Sequence, residues 1–216
     1  MKRKTVRAPR ADGEARQGRA YLRRLLSERN QFPDRVTAID KEIRRAFERR
    51  VAILVLDMVG FSRLTSEHGI IHYMAMIHQM DQAARPSVIA NGGEVIKQVA
   101  DNLYCVFAEP RQAVEAALDI FRAFDAVNSV VPPGRDIYGS VGIGFGDTLI
   151  IAGRDMFGSE MNLACKLGED LAGKKEILLT ESAFNAIPAN SYQVEKMSFS
   201  ISELQLTAYR LGGKAM

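Results

Sequence analysis

Hydrophobic and polar positions change rhythm at residue 51. Before it they repeat with a helical period. Tyr21, Leu22, Leu25 and Leu26 share one stripe within residues 14–30, and Val36, Ile39, Ile43 and Phe47 recur at spacings of three and four within 34–49. The other faces of both segments are charged, so each predicts an amphipathic helix that needs a partner surface. Pro33 marks the break between them. Residues 1–12, charge-rich and with little to bury, predict disorder.

From residue 51 the pattern is of strands. Residues 51–56, VAILVL, form a continuous run rich in β-branched side chains, as in a strand covered on both faces. Residues 63–91 predict a short helix and a long one, the latter carrying Met74, Met76, Ile77 and Met80 and ending at Gly92 and Gly93. Strands follow at 94–99 and 103–108, with Ala100, Asp101 and Asn102 at the hairpin tip. Asn102 tolerates the left-handed conformation that a hairpin tip often requires. A helix at 111–127 presents Val114, Ala117, Leu118, Phe121 and Phe124 on one side. Strands at 137–145 and 147–153, a helix at 158–171, a strand at 176–180, a short helix at 181–187 and strands near 190–197 and 205–211 complete the chain. This irregular alternation excludes a doubly wound parallel sheet. It predicts an α+β fold, a ferredoxin-like mixed sheet with helices mainly on one face, preceded by an N-terminal helical extension.

Composition narrows the function classes. No apolar run approaches the length of a membrane span, and no apolar core follows the basic start MKRKTVRAPR, so neither a membrane helix nor a secretory signal is expected. Cys105 and Cys165 lack any zinc-type spacing and sit in apolar segments, which predicts small core residues in a reducing cytoplasm. The net charge of +3 conceals a division: residues 1–50 carry a balance of +9 and residues 51–216 one of −6. A basic arm on an acidic domain suits a solvated or partner-facing helix, or an anionic membrane face. Nucleic acid is not expected, because no aromatic residues alternate with the basic ones for base stacking.

The candidate chemistry lies where two strands end. The run VAILVLDMVGFS at 51–62 closes on Asp57 and turns through Gly60, and Asp101 stands 44 residues later at the hairpin tip. Two carboxylates at strand ends, beside a glycine-containing loop, suit a divalent cation and a polyphosphate. Asn162 and Lys166, four apart, share one helix face. His68, His72 and His78 form no metal-ligand constellation and predict surface or interface positions.

Four segments carry a family resemblance: DMVGFS at 57–62, GGEVIKQVAD at 92–101, VGIGFGDTLIIAGRDMFGSEMNLACKL at 141–167 and EILLTESAF at 176–184. In this order and spacing they resemble the class III nucleotidyl cyclase catalytic domain over roughly residues 50–212. The division implied is a basic tail and helical extension at 1–49 and a catalytic domain at 50–216. By the resemblance, Asp57 and Asp101, with the backbone carbonyl of Met58, bind two Mg2+ or Mn2+ ions per site. Val59, Gly60, Phe61 and Ser62 form the phosphate loop, Gly60 allowing close approach to the triphosphate. Lys97 and Asp155 read the base as an adenine-type pair, and Asn162 orients the ribose. Lys166 stands where the family has an Arg that stabilises transition-state charge; its ammonium lacks the planar fork, so slower turnover is expected.

The resemblance further implies a homodimer with composite sites, one subunit supplying the metal and phosphate residues and the other part of the base and transition-state set. The leading expectation is an adenylate cyclase that converts ATP to 3′,5′-cyclic AMP and pyrophosphate. A cyclase acting on GTP or a pyrimidine nucleotide, and a nucleotide-binding regulatory module with weak turnover, are the alternatives. Two further departures are Ala100, where the family has Gly, and Phe145-Gly146 after GIG, read as a change in packing.

Overall fold

Two helices form before the sheet begins: α1 (Arg19–Gln31) and α2 (Val36–Phe47), joined by a 3-10 turn at Pro33–Arg35. Their apolar stripes close on each other. Leu22, Leu25, Ile39, Ile43 and Phe47 form one buried cluster, while Leu26 at the stripe edge stays exposed. Arg29 reinforces the pair through two bonds to Asp40, at 2.6 and 3.2 Å. The computed structural model describes residues 18–60, 69–132, 134–151, 153–201 and 204–214. The predicted disordered tail and short helix after residue 62 fall largely outside these.

Chain continuity carries α2 straight into β1 (Glu48–Met58), whose apolar residues 51–56 are all buried. Alternation sends its two sides into different cores. Ala52, Leu54, Leu56 and Met58 enter the larger core, and Val51, Ile53 and Val55 the smaller. α3 (Ile70–Ala90) leads to the hairpin of β2 (Glu94–Val99) and β3 (Asn102–Phe107), and α4 (Pro110–Asn128) leads to β4 (Gly139–Ile151). β1 pairs antiparallel with both β3 and β4, with Leu56 opposite Leu103 on one side and Val141 on the other. The resulting order β2-β3-β1-β4 interleaves two β-α-β units, the ferredoxin-like arrangement.

Beyond β4 the sheet becomes mixed. A short β5 (Asp155–Phe157) pairs antiparallel with the end of β4. After α5 (Ser159–Cys165), a π-helical turn at Lys166–Leu171 leads to β6 (Ile177–Thr180), parallel to β4. α6 (Glu181–Asn185), β7 (Tyr192–Ile201) and β8 (Leu204–Lys214) follow, β8 lying between β6 and β7. α3, α4 and α6 cover the larger core, and α5 covers the smaller.

Three expectations need correction. Residues 137–145 and 147–153 are not two strands: β4 runs unbroken through Gly146, which pairs with Val51. Gly146 makes room, since a Cβ there would meet Glu160 Cγ at 2.7 Å. In α3 the buried stripe is Tyr73, Met76, Met80, Ala84 and Val88, and Met74 is 62% exposed. At the hairpin tip the left-handed residue is Ala100, at φ 50°, while Asn102 already belongs to β3.

Candidate active site

Asp57 stands on β1 one step beyond the Leu56–Leu103 pair, which sets it beside the hairpin tip that carries Asp101. Tyr73 of α3 is almost fully buried beneath this tip and donates its hydroxyl proton to Asp101 Oδ2. Burial, and after it the charges of Asp101, Glu169 and Asp170, push the Asp57 carboxyl up to about 7. Negative charge is therefore concentrated here, and among the described residues no ion pair offsets it at Asp57. Hard divalent cations select carboxylate oxygens in such surroundings. Among the described residues no cluster of three or more His, Cys, Asp or Glu forms a ready-made cage. The donor set fits a cation completed by substrate phosphates, with Met58 buried at the adjoining end of β1.

A second group lies across β2 and β5. Lys97 Nζ donates to Asp155 Oδ1 at 2.7 Å, and the Met156 N–H donates to the same oxygen at 3.0 Å. Arg19 of α1 donates to Asp155 Oδ2 at 3.2 Å. Burial alone would raise the Asp155 carboxyl, but the bonds from Lys97 and Met156, with the Lys97 and Arg19 charges, hold it below its ordinary value. Lys97 also sits over the Tyr104 ring, 4.7 Å from its centroid.

The third group rides on α5 and the π-helical turn. Gly142 admits this segment onto the sheet, because a Cβ there would come within 2.0 Å of the Ala164 carbonyl oxygen. Ser140 locks the turn by donating to the Gly168 carbonyl at 2.9 Å. Asn162 projects exposed from α5, and Lys166 opens the turn with its ammonium 2.6 Å from Asp170 Oδ2. The single predicted helix at 158–171 is thus two conformations, with Lys166 at their junction.

Of the residues expected to form a phosphate loop, Val59 and Gly60 fall within the described residues. Val59 gives its N–H to the Tyr138 carbonyl at 2.9 Å, which extends the strand pairing and leaves that donor engaged. Gly60 takes φ 105°, a conformation that favours glycine. Phe61 and Ser62, like His68, lie outside the described residues. His72 contacts the Gly134 carbonyl, and His78 is exposed. Phe145, read as a packing change, lies under the Arg50 guanidinium and gives its N–H to Glu160.

The structure brings Asp57 to Asp101, Lys97 to Asp155 and Lys166 to Asp170. Among the described residues, no direct hydrogen bond or ion pair joins the carboxylate pair to Lys97, Asp155, Asn162 or Lys166. Tyr104 lies between these groups and escaped the sequence reading: its ring holds Lys97 and its hydroxyl donates to Glu169 at 3.0 Å. Alternation along DNLYCVF offered a signal, since Asn102 and Tyr104 share a face. Arg19, Tyr73, Glu169 and Asp170 were also missed; only Asp170, four residues after Lys166, had a local cue.

Residues 44–211 match the family described as the adenylate and guanylate cyclase catalytic domain. A Streptomyces coelicolor protein named adenylate cyclase is 29% identical over 137 residues, 63% of this chain and 34% of that protein. The chain therefore spans about a third of that relative's length. The GTP complex of a Catenaria anguillulae guanylate cyclase domain superposes with a TM-score of 0.65 at 14% identity, covering 77% of this chain and 98% of that one. A Silicibacter pomeroyi structure described as an adenylate/guanylate cyclase/hydrolase superposes at 0.63 with 22% identity, covering 76% and 96%. At these identities the structural likeness speaks to the fold alone.

Proposed function

The chain belongs to the adenylate and guanylate cyclase catalytic domain family, and we propose that it converts ATP to 3′,5′-cyclic AMP and pyrophosphate. The observation that carries this reading is the pair Asp57 and Asp101 at one end of the sheet whose β2 and β5 hold Lys97 against Asp155. Asp57, Asp101 and the Met58 carbonyl would hold two Mg2+ or Mn2+ ions. When bound, such ions neutralise phosphate charge and acidify the ribose 3′-hydroxyl. Tyr73 holds Asp101 in place from below.

In this reading Lys97 donates to a ring nitrogen of adenine and Asp155 accepts from its exocyclic amine. Asn162 orients the ribose, and Lys166 meets the charge that develops on the phosphates. Val59, Gly60, Phe61 and Ser62 are the residues that would contact the triphosphate, with Gly60 supplying the left-handed conformation. The carboxylate pair and the Lys97, Asp155, Asn162 and Lys166 set act on one nucleotide from two subunits, giving a homodimer with two composite sites. The exposure of Asn162 in a single chain supports that division.

One observation favours a second reading, a nucleotide-binding module with weak turnover: Lys166, which the resemblance sets where the family has an Arg, is held by Asp170 at 2.6 Å. Incubation of the purified protein with each of the four common NTPs and Mn2+, reading cyclic product and pyrophosphate, decides among these. Cyclic AMP in excess over the other products is expected, and it is lost in Asp57→Ala and Asp101→Ala. Preference for GTP overturns the base assignment, and nucleotide binding without any cyclic product leaves only the second reading.

A further inference from the structure

Asn102 Oδ1 is buried and has no hydrogen-bond partner. A buried amide oxygen without a donor bears its desolvation penalty with nothing in return, and such an atom calls for an explanation. Its position supplies one. Asn102 follows Asp101 directly and opens β3. The antiparallel register pairs Val55 with Tyr104 and Leu56 with Leu103, so the next step sets Asp57 opposite Asn102. Val55 and Tyr104 both enter the smaller core, and alternation places Asp57 and Asn102, two residues farther out, on that same face. Residues so paired have Cβ atoms about 4.5–5.5 Å apart.

The orientation of the amide follows from its neighbour. Tyr104 has one hydroxyl proton and gives it to Glu169 at 3.0 Å. Its oxygen therefore faces Asn102 as an acceptor, and the long 3.5 Å contact is made by Asn102 Nδ2. The reversed amide would set two acceptors against each other. Oδ1 is thus turned away from Tyr104, on a residue that shares a face with Asp57, where the negative charges of Asp101, Glu169 and Asp170 are already felt. A neutral oxygen adds coordination there without adding repulsion, and amide oxygens join carboxylates around hard cations.

We propose that Asn102 Oδ1 is a further ligand, supplied by this chain, for the divalent cation held by Asp57 and Asp101. The assignment rests on the reading of those two carboxylates as cation ligands and adds a residue to it.

The test measures Mn2+ binding to the full chain from the free-ion paramagnetic resonance signal, with and without 3′-deoxy-ATP, which lacks the attacking hydroxyl. Asn102→Leu and Asn102→Ala remove the oxygen, and Asp57→Ala serves as the control. Both Asn102 variants should bind Mn2+ about tenfold or more weakly. Metal-free Asn102→Leu should melt at or above the native temperature, because the orphaned oxygen is gone. A purely structural asparagine would give the opposite pairing, a lower melting temperature with unchanged Mn2+ affinity. Native-like Mn2+ binding in the Asn102 variants, together with loss in Asp57→Ala, overturns the role of Asn102 and leaves the carboxylate site standing. Native-like binding in Asp57→Ala, or no Mn2+ binding by the native chain in either condition, removes the cation site and this inference with it.

Discussion

Arg19 and Asp155 are 136 residues apart in the chain and 3.2 Å apart in the fold. The contact joins the N-terminal helical extension to the carboxylate proposed to read the base. It is possible because Leu22, Leu25, Ile39, Ile43 and Phe47 dock α1 and α2 against Ile151 at the end of β4, four residues before Asp155.

Removing this contact should sharpen ATP use. Arg19 occupies Asp155 Oδ2, one of the oxygens that an exocyclic amine would need, and its side chain is 49% exposed. An exposed ion pair contributes about 0–1 kcal/mol, so the competition is mild. Steady-state kinetics of Arg19→Gln should show KM for ATP lower by about 2–5-fold with kcat unchanged. An unchanged or higher KM counts against the competition.

Asp57 should make the metal-free protein less stable as pH rises. Its folded value of about 7 lies above the ordinary carboxylate value of 3.8. Between those values the native chain holds a proton that the unfolded chain has released, so stability declines across that window and levels off above it. In thermal melts with a chelator, Asp57→Asn should show a shallower decline than the native chain and a higher melting temperature at pH 8. Mn2+ should offset the native chain's loss, because a bound cation replaces the proton.

Lys166 tests the difference between an ammonium and a guanidinium. If Lys166→Arg restores bidentate contact with phosphoryl oxygens, kcat should rise about 10- to 100-fold while ATP binding changes much less. Lys166→Ala should remove most of the remaining turnover. Release of Lys166 by Asp170→Asn should leave the fold intact, since the pair is exposed at the surface of the π-helical turn. Equal rates for the native chain and Lys166→Arg would show that the fork is not what limits the reaction.

Ala100 sits at φ 50° in the tip beside Asp101. A left-handed conformation costs a residue with a Cβ about 1–2 kcal/mol, of which glycine's greater chain entropy returns part. Ala100→Gly should therefore stabilise the fold by about 0.5–1 kcal/mol in chemical denaturation, with activity close to native. A loss of stability would show that the alanine methyl packs usefully at the tip.

Much of this fold was legible because burial alternates locally. The run at 51–56 and the spacing of Ile39, Ile43 and Phe47 each declared their element and buried face. The error at Gly146 arose because a glycine in a strand reads as a break, whereas here it leaves space for Glu160 from another element. The error at Ala100 has the same source: asparagine is the better left-handed residue in isolation, but the β2–β3 register pairs Asn102 with Val99 and claims it for the strand.

Sequence by itself determined most of the strands, the amphipathic helices, the family and the candidate residues Asp57, Lys97, Asp101, Asp155, Asn162 and Lys166, because spacing and residue chemistry are properties of the chain; it split β4 in two and did not show β5. Only the tertiary structure decided that Tyr73 supports Asp101, that Arg19 reaches Asp155, that Tyr104 bridges Lys97 and Glu169, and that Asn102 keeps a buried oxygen without a partner. Each of these depends on which strand lies next to which and in what register. Pairing between distant segments is set by the collective packing of both cores, and no local run of residues encodes it.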